Sequence, residues 1–155
     1  MSSLKSAVED FLGQKRVAVA GVSRSGSAAA NIVYRKLRGA GYEVFLVNPN
    51  AKETEGATCY ADLKSIPGGV TAVVIATHPG MTDQIVRECA EAGISRIWMH
   101  RSFGAGSVSD AAVKFCREHN MTIIAGGCPV MFCEPVDFGH KCMRWWLQQR
   151  GRVPK

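Results

Sequence analysis

A doubly wound α/β fold is predicted for this 155-residue chain: a parallel sheet of about five strands, helices on both faces and a helical tail. Three observations lead there. Short runs rich in Val and Ile alternate with longer amphipathic stretches. Gly or Asn stands at the end of each amphipathic stretch. A turn of small residues follows the first apolar run and leads straight into a helix-length segment. Apolar runs that are continuous suit strands covered on both faces, and their alternation with helices favours a parallel sheet.

The elements follow in order. The first strand is expected over 16–20, a helix over 28–38 and a second strand over 43–47. A short helical stretch is expected around 61–65, then strands over 72–76, 96–99 and 122–125, separated by helices over 80–92 and 108–119. Gly39, Gly41, Gly93 and Asn120 sit where helices should stop, suited to a left-handed cap. The alternation ends at Pro129, and 138–149 reads as an amphipathic helix carrying Trp145, Trp146 and Leu147. With no internal repeat or linker, the chain is expected to form one domain over 1–155, its tail from 129 packing back or meeting a partner.

Composition narrows the classes. Hydrophobic residues make up 46% and charged residues 21%, which are globular values and not disordered ones. The apolar runs are of strand length, too short to span a membrane. The first residues mix Lys5, Glu9 and Asp10 without the apolar block of a secretory signal. The six cysteines show no CxxC spacing, and the expectation is reduced thiols in a cytoplasmic protein. The net charge of +6 favours anionic partners.

The segment from residue 17 to 49 is the most informative. A strand, a small-residue turn, a helix and a second strand form the Rossmann-like unit that holds a diphosphate. Gly21 lets the chain turn out of the strand, and Gly26 allows close backbone approach. Between them lie Val22, Ser23, Arg24 and Ser25; with Ser27, the serines can cap the helix or donate to phosphate. Arg24 opposes the helix dipole at some cost, which a bound polyphosphate would turn into an attraction. Arg35, Lys36 and Arg38 are read as last-turn cations that suit the C-terminal dipole end. After the second strand comes Asn48-Pro49, where an NAD site would place Asp or Glu for the ribose hydroxyls.

Ligands of such sheets bind beyond the carboxyl ends of the strands. Four of the five post-strand loops carry Lys, Arg or His, which suits a ligand with several phosphates. Lys52 can reach an additional phosphate, and Thr77 and His78 stand at the end of the third strand. His78 precedes Pro79, a residue favoured in the first helical turn.

G-V-S-x-x-G after the first strand, G-Y-x-V-x-x-V-N-P around the second and a late Gly-Cys-Pro resemble the single-domain CoA-binding protein family. That family is similar to the CoA-binding domain of the succinyl-CoA synthetase alpha subunit. The resemblance covers roughly residues 10 to 135 and implies a Rossmann-type domain that binds coenzyme A or acyl-CoA without itself performing a reaction. It further implies that Ser23, Arg24, Ser25 and Gly26 hold the phosphates, Asn48 and Pro49 flank the adenosine, and Thr77 and His78 border the pocket. The synthetase uses a second domain with a phosphorylated histidine. This chain ends before one, and His100, followed by Arg101-Ser102, lacks the glycine-rich setting, so a carrier, sensor or partner-presenting role is expected.

A nicotinamide-dependent oxidoreductase, or another dinucleotide-binding protein, draws on the same glycine turn. Against it stand the missing acidic residue after Val47 and the absence of a Tyr-Lys catalytic set. In the tail, Cys128, Cys133, His140 and Cys142 match no common zinc spacing, so no metal is expected. The interleaved Trp and cations come without a nucleic-acid reading motif, so a homodimer or protein contact is the expected use of the tail and nucleic acid is not.

Overall fold

The computed structural model describes residues 3–101, 106–136 and 138–152; Ser102 and the last three residues of the tail lie outside them. Among the described residues, seven strands share one sheet: β1 (Arg16–Ala20), β2 (Glu43–Val47), β3 (Glu53–Thr54), β4 (Ala57–Tyr60), β5 (Ala72–Ile75), β6 (Arg96–Met99) and β7 (Thr122–Ala125). Five helices accompany them among the described residues: α1 (Leu4–Leu12), α2 (Ala29–Gly39), α3 (Pro79–Glu91), α4 (Asp110–Glu118) and α5 (Phe138–Gln149). A single 3₁₀ turn, Pro129–Met131, links β7 to the tail.

The strand order is β3-β4-β2-β1-β5-β6-β7. All neighbours are parallel except β3 and β4, which form a hairpin. The chain leaves β1 for β2 on one side and returns to β5 on the other, so the order reverses at β1. The five expected strands are all present, and the count of about five is corrected to seven by the short hairpin. Its two-residue turn, Glu55-Gly56, has φ of 54° and 70°, the left-handed pair that a tight hairpin needs.

Alternate strand residues point to opposite faces, and the core divides accordingly. Val17, Val19, Val74 and Trp98 pack under α1 and α2, together with Leu147 of α5. Ala18, Val73, Ile75 and Met99 pack under α3 and α4. This is the doubly wound arrangement that the alternation predicts. Trp98 is fully buried, donates from Nε1 to the Gly126 carbonyl at 3.0 Å, and meets Phe11 of α1 edge-on at 5.3 Å.

Two expected elements change. Residues 61–65 are turns and bends, not a helix: Asp62 Oδ1 accepts from both the Ser65 amide and its hydroxyl at 2.8 Å. That side-chain bond replaces the backbone bond a helix would have made. The N-terminal segment, to which no element is assigned from the sequence, forms α1, with Ser3 as its cap (Ser6 N–H to Ser3 Oγ, 3.2 Å) and Ala7, Val8 and Phe11 buried. Positive φ occurs at Gly41, Gly93 and Asn120 as expected, whereas Gly39 is the last residue of α2 itself.

The tail helix lies where the pattern puts it and folds back, burying Leu147 and packing Trp146 and Met143 against the core. Trp145 turns outward instead and is 63% exposed.

Candidate functional site

A cavity of about 320 Å³ opens beyond the carboxyl ends of β1, β2 and β5, at the point where the strand order reverses. Its walls include Gly21, Asn48, Pro49 and Thr77, four of the positions expected at the site. The far wall is α3, through Met81, Gln84, Ile85 and Glu88, which sequence reasoning did not reach. Those four recur at helical spacing on one face, but only the sheet order shows that this face looks across the cleft. A larger groove of about 630 Å³ runs between α1 and α5; no strand end contributes to it.

Gly21 is fixed by sterics. Its φ is 106°, and a Cβ there would stand 2.4 Å from the Ala76 carbonyl oxygen. With any side chain in place, the chain leaving β1 could not pass this close to the end of β5. Val22 is buried, and its carbonyl accepts from Asn48 Nδ2 at 2.9 Å. Asn48 Oδ1 in turn accepts from the Asn50 amide at 2.8 Å. Asn48 therefore spends its amide on joining the β1 and β2 loops, while Pro49 presents its ring to the cleft.

The turn from Ser23 to Gly26 closes through a Gly26 N–H to Ser23 carbonyl bond of 3.1 Å. The hydroxyls of Ser23, Ser25 and Ser27 form a chain with 2.9 Å links. None of them caps α2: the cap position is Ala28, which makes no side-chain bond. Among the described residues no cap side chain therefore serves the first N–H groups of α2, the usual setting for an anion. Arg24 is exposed beside it and makes no ion pair among the described residues.

The turn is held from below by residues not anticipated. Asn31, fully buried, accepts from the Ser23 amide at 2.7 Å and donates to the Ser23 carbonyl at 2.9 Å. Thr54 Oγ1 donates to the same carbonyl at 3.1 Å. Glu55 Oε1 accepts from Asn31 Nδ2 at 2.8 Å and from Arg35 Nη1 at 2.9 Å, and Arg35 Nη2 reaches the Gly26 carbonyl at 3.1 Å. Arg35 is thus a brace of the turn and not a last-turn cation; Lys36 and Arg38 do occupy the last turn. A signal existed in the buried stripe of α2, where a lone Asn stands among Ala30, Val33, Tyr34 and Leu37.

Thr77 and His78 divide. The Thr77 carbonyl accepts from Ser107 Oγ at 2.6 Å, but its own Oγ1 is buried with no hydrogen-bond partner among the described residues. A buried hydroxyl left unsatisfied costs about 1–3 kcal/mol, which a ligand in the cleft could recover. His78 caps α3, its Nδ1 accepting from the Gly80 amide at 3.2 Å, with Pro79 at the first helical position. Lys52 is exposed just before β3 and does not line the cavity.

A CoA-binding domain model matches residues 15–134, most of the chain. This chain belongs to the CoA-binding domain family. Membership assigns coenzyme A as the cofactor and bears out the resemblance read from the glycine turn and the Val-Asn-Pro segment. An uncharacterised protein of Bacillus subtilis, YneT, is 26% identical over 80% of this chain and 90% of its own length. An ADP-forming acetate–CoA ligase II of Archaeoglobus fulgidus is 35% identical over 56% of the chain, which spans only 13% of that enzyme. Among solved structures, a hypothetical protein of Pyrococcus horikoshii superposes with a TM-score of 0.75 at 26% identity, covering 83% of this chain and 87% of that one. Among the described residues, no helix is long and apolar enough to cross a membrane.

Proposed function

We propose that this chain binds coenzyme A or an acyl-CoA across the reversal point of its sheet and acts as a carrier, sensor or presenting module in the cytoplasm. The diphosphate would lie on the serine turn, held by backbone N–H groups of the turn and of the first turn of α2, with Arg24 closing over it. The adenosine would occupy the cleft between Pro49 and α3. Lys52, exposed just before β3, would meet the 3′-phosphate. The single observation that carries the reading is an apolar-walled cleft at the reversal point whose wall residue Gly21 leads, through the serine turn, into an uncapped helix start, in a chain of the CoA-binding family.

Chemical fit supports it further. The serine turn offers donors and, in Arg24, a cation without an ion pair among the described residues where a diphosphate needs them, and the Thr77 hydroxyl lacks a partner among those residues. At the end of β2 an Asn with both amide ends committed stands where a ribose-binding carboxylate would be needed for NAD, which argues against the nicotinamide reading.

Titration calorimetry with CoA, 3′-dephospho-CoA and NAD tests the proposal. CoA should bind, dephospho-CoA more weakly, and NAD should give no heat. Arg24→Glu should weaken CoA binding by about tenfold or more, because a repulsion replaces an attraction near the diphosphate. Equal affinity in the variant would remove Arg24 from the site, and NAD binding in place of CoA would restore the oxidoreductase alternative.

A further inference from the structure

An anion-accepting turn is an odd place for a carboxylate. Glu55 stands directly beneath this one: its Oε1 would be 3.5 Å from a Cβ placed on Gly26, and its side chain is only 14% exposed. The hairpin turn delivers it there with a φ of 54°, a conformation that favours Gly or Asn over Glu. Its one ionic partner among the described residues is Arg35, at 2.9 Å and 51% exposed. Bracing alone does not call for a charge, since a neutral amide oxygen in the same place would still accept from Asn31, while holding Arg35 more weakly than a carboxylate does.

We propose that Glu55 holds Arg35 in reserve, so that their ion pair sets the affinity of the serine turn for a diphosphate. The guanidinium spans Glu55 through Nη1 and the Gly26 carbonyl through Nη2; it is therefore already at the turn, with half its surface toward solvent. An arriving diphosphate competes with Glu55 for it. Arg24 gives the turn its unconditional positive charge, and Arg35 gives a second one that Glu55 cancels. Affinity is thereby kept below what the turn could reach with both cations free, as suits a protein that must release its ligand. This rests on the CoA reading only in naming what carries the diphosphate.

The test uses the intact chain as wild type, Glu55→Gln, Arg35→Gln and the double variant, titrated with CoA and separately with inorganic pyrophosphate, at low and at high salt. Glu55→Gln keeps an acceptor under Asn31 while freeing Arg35, and should tighten binding by about tenfold at low salt, with the gain shrinking as salt rises. Arg35→Gln leaves Glu55 uncompensated and should weaken binding by a similar factor. The double variant, with neither charge, should return to within about threefold of wild type. A purely structural brace predicts instead that all three variants weaken binding and melt lower, and that result overturns the proposal. Should Glu55→Gln fail to fold, Arg35→Gln still tests it: a loss that shrinks as salt rises supports the proposal, and a loss unchanged by salt, as a structural brace predicts, overturns it.

The two ligands separate this inference from the functional reading. Four equal CoA affinities would overturn the role of Glu55 and leave CoA binding standing. A response to pyrophosphate in the expected order without CoA binding would uphold Glu55 and remove CoA. Wild-type protein silent to both ligands would overturn both.

Discussion

At the scale of single residues, the site depends on two positions whose roles are opposite in kind. Gly21 is needed for what it lacks. Any side chain would meet the Ala76 carbonyl at 2.4 Å in a backbone conformation that disfavours L-residues. Gly21→Ala should therefore cost about 2–4 kcal/mol of stability, read by denaturant unfolding, and widen the cleft where β1 and β5 part. A loss below about 0.5 kcal/mol would mean that the strands separate without strain. Thr77 is needed for what it leaves unused. Removing a buried, unpartnered hydroxyl relieves a desolvation penalty, so Thr77→Val should melt at the same temperature or higher, by up to about 1 kcal/mol of stability. The same variant should bind CoA about fivefold more weakly if a ligand satisfies that hydroxyl. A destabilised variant with unchanged affinity would make Thr77 an ordinary structural residue. Glycines of this kind were legible in the sequence because a turn between strand and helix demands them. The partners of Asn31, Glu55 and Arg35 were not, because their residues come together from two helical turns and a hairpin.

At the scale of elements, what was legible followed hydrophobic period. The five principal strands are Val- and Ile-rich, and helices α2, α3, α4 and α5 keep their apolar stripes, so each lies close to its expected span. The hairpin of β3 and β4 escaped because strands of two and four residues show no period, and its Glu-Gly turn is a weak signal beside Asn-Gly. The stretch around 61–65 misled in the other direction: Leu63 and Ile66 are buried, but a side-chain turn and the following Pro-Gly-Gly leave no length for a helix. Helix α1 was legible and passed over, since Leu4, Val8, Phe11 and Leu12 have helical spacing behind a Ser cap. It is no accessory. Phe11 is 1% exposed and closes the sheet face over Trp98, while Asp10 pairs with Arg96 at 2.7 Å. Phe11→Ala should cost about 3–5 kcal/mol through the cavity it leaves, seen as a lower melting temperature with little change in helix content. A cost under about 1 kcal/mol would show that α1 merely rests on the sheet.

At the scale of the whole molecule, the reversal of strand order divides the sheet into two halves whose strands pair with one another only along β1 and β5. One half carries the serine turn, the Asn48-Pro49 loop and the hairpin with Glu55; the other carries Thr77 and α3. A ligand lying across the cleft touches both, so it acts as a non-covalent tie between them and binds the folded state alone. At a CoA concentration one hundred times its dissociation constant, such a ligand should add about 2.7 kcal/mol to global stability, or roughly 5–11 °C in melting temperature for a domain of this size. The location of the effect discriminates more sharply than its size. Amide exchange should slow at Ser23–Gly26 on one side and at Thr77–Met81 on the other, in the same titration and with the same midpoint. Protection confined to the serine turn would mean that only phosphate is held and that the cleft stays empty. Protection of both sides, lost together in Arg24→Glu, would mean that the diphosphate anchors the ligand and the rest of it follows into the cleft.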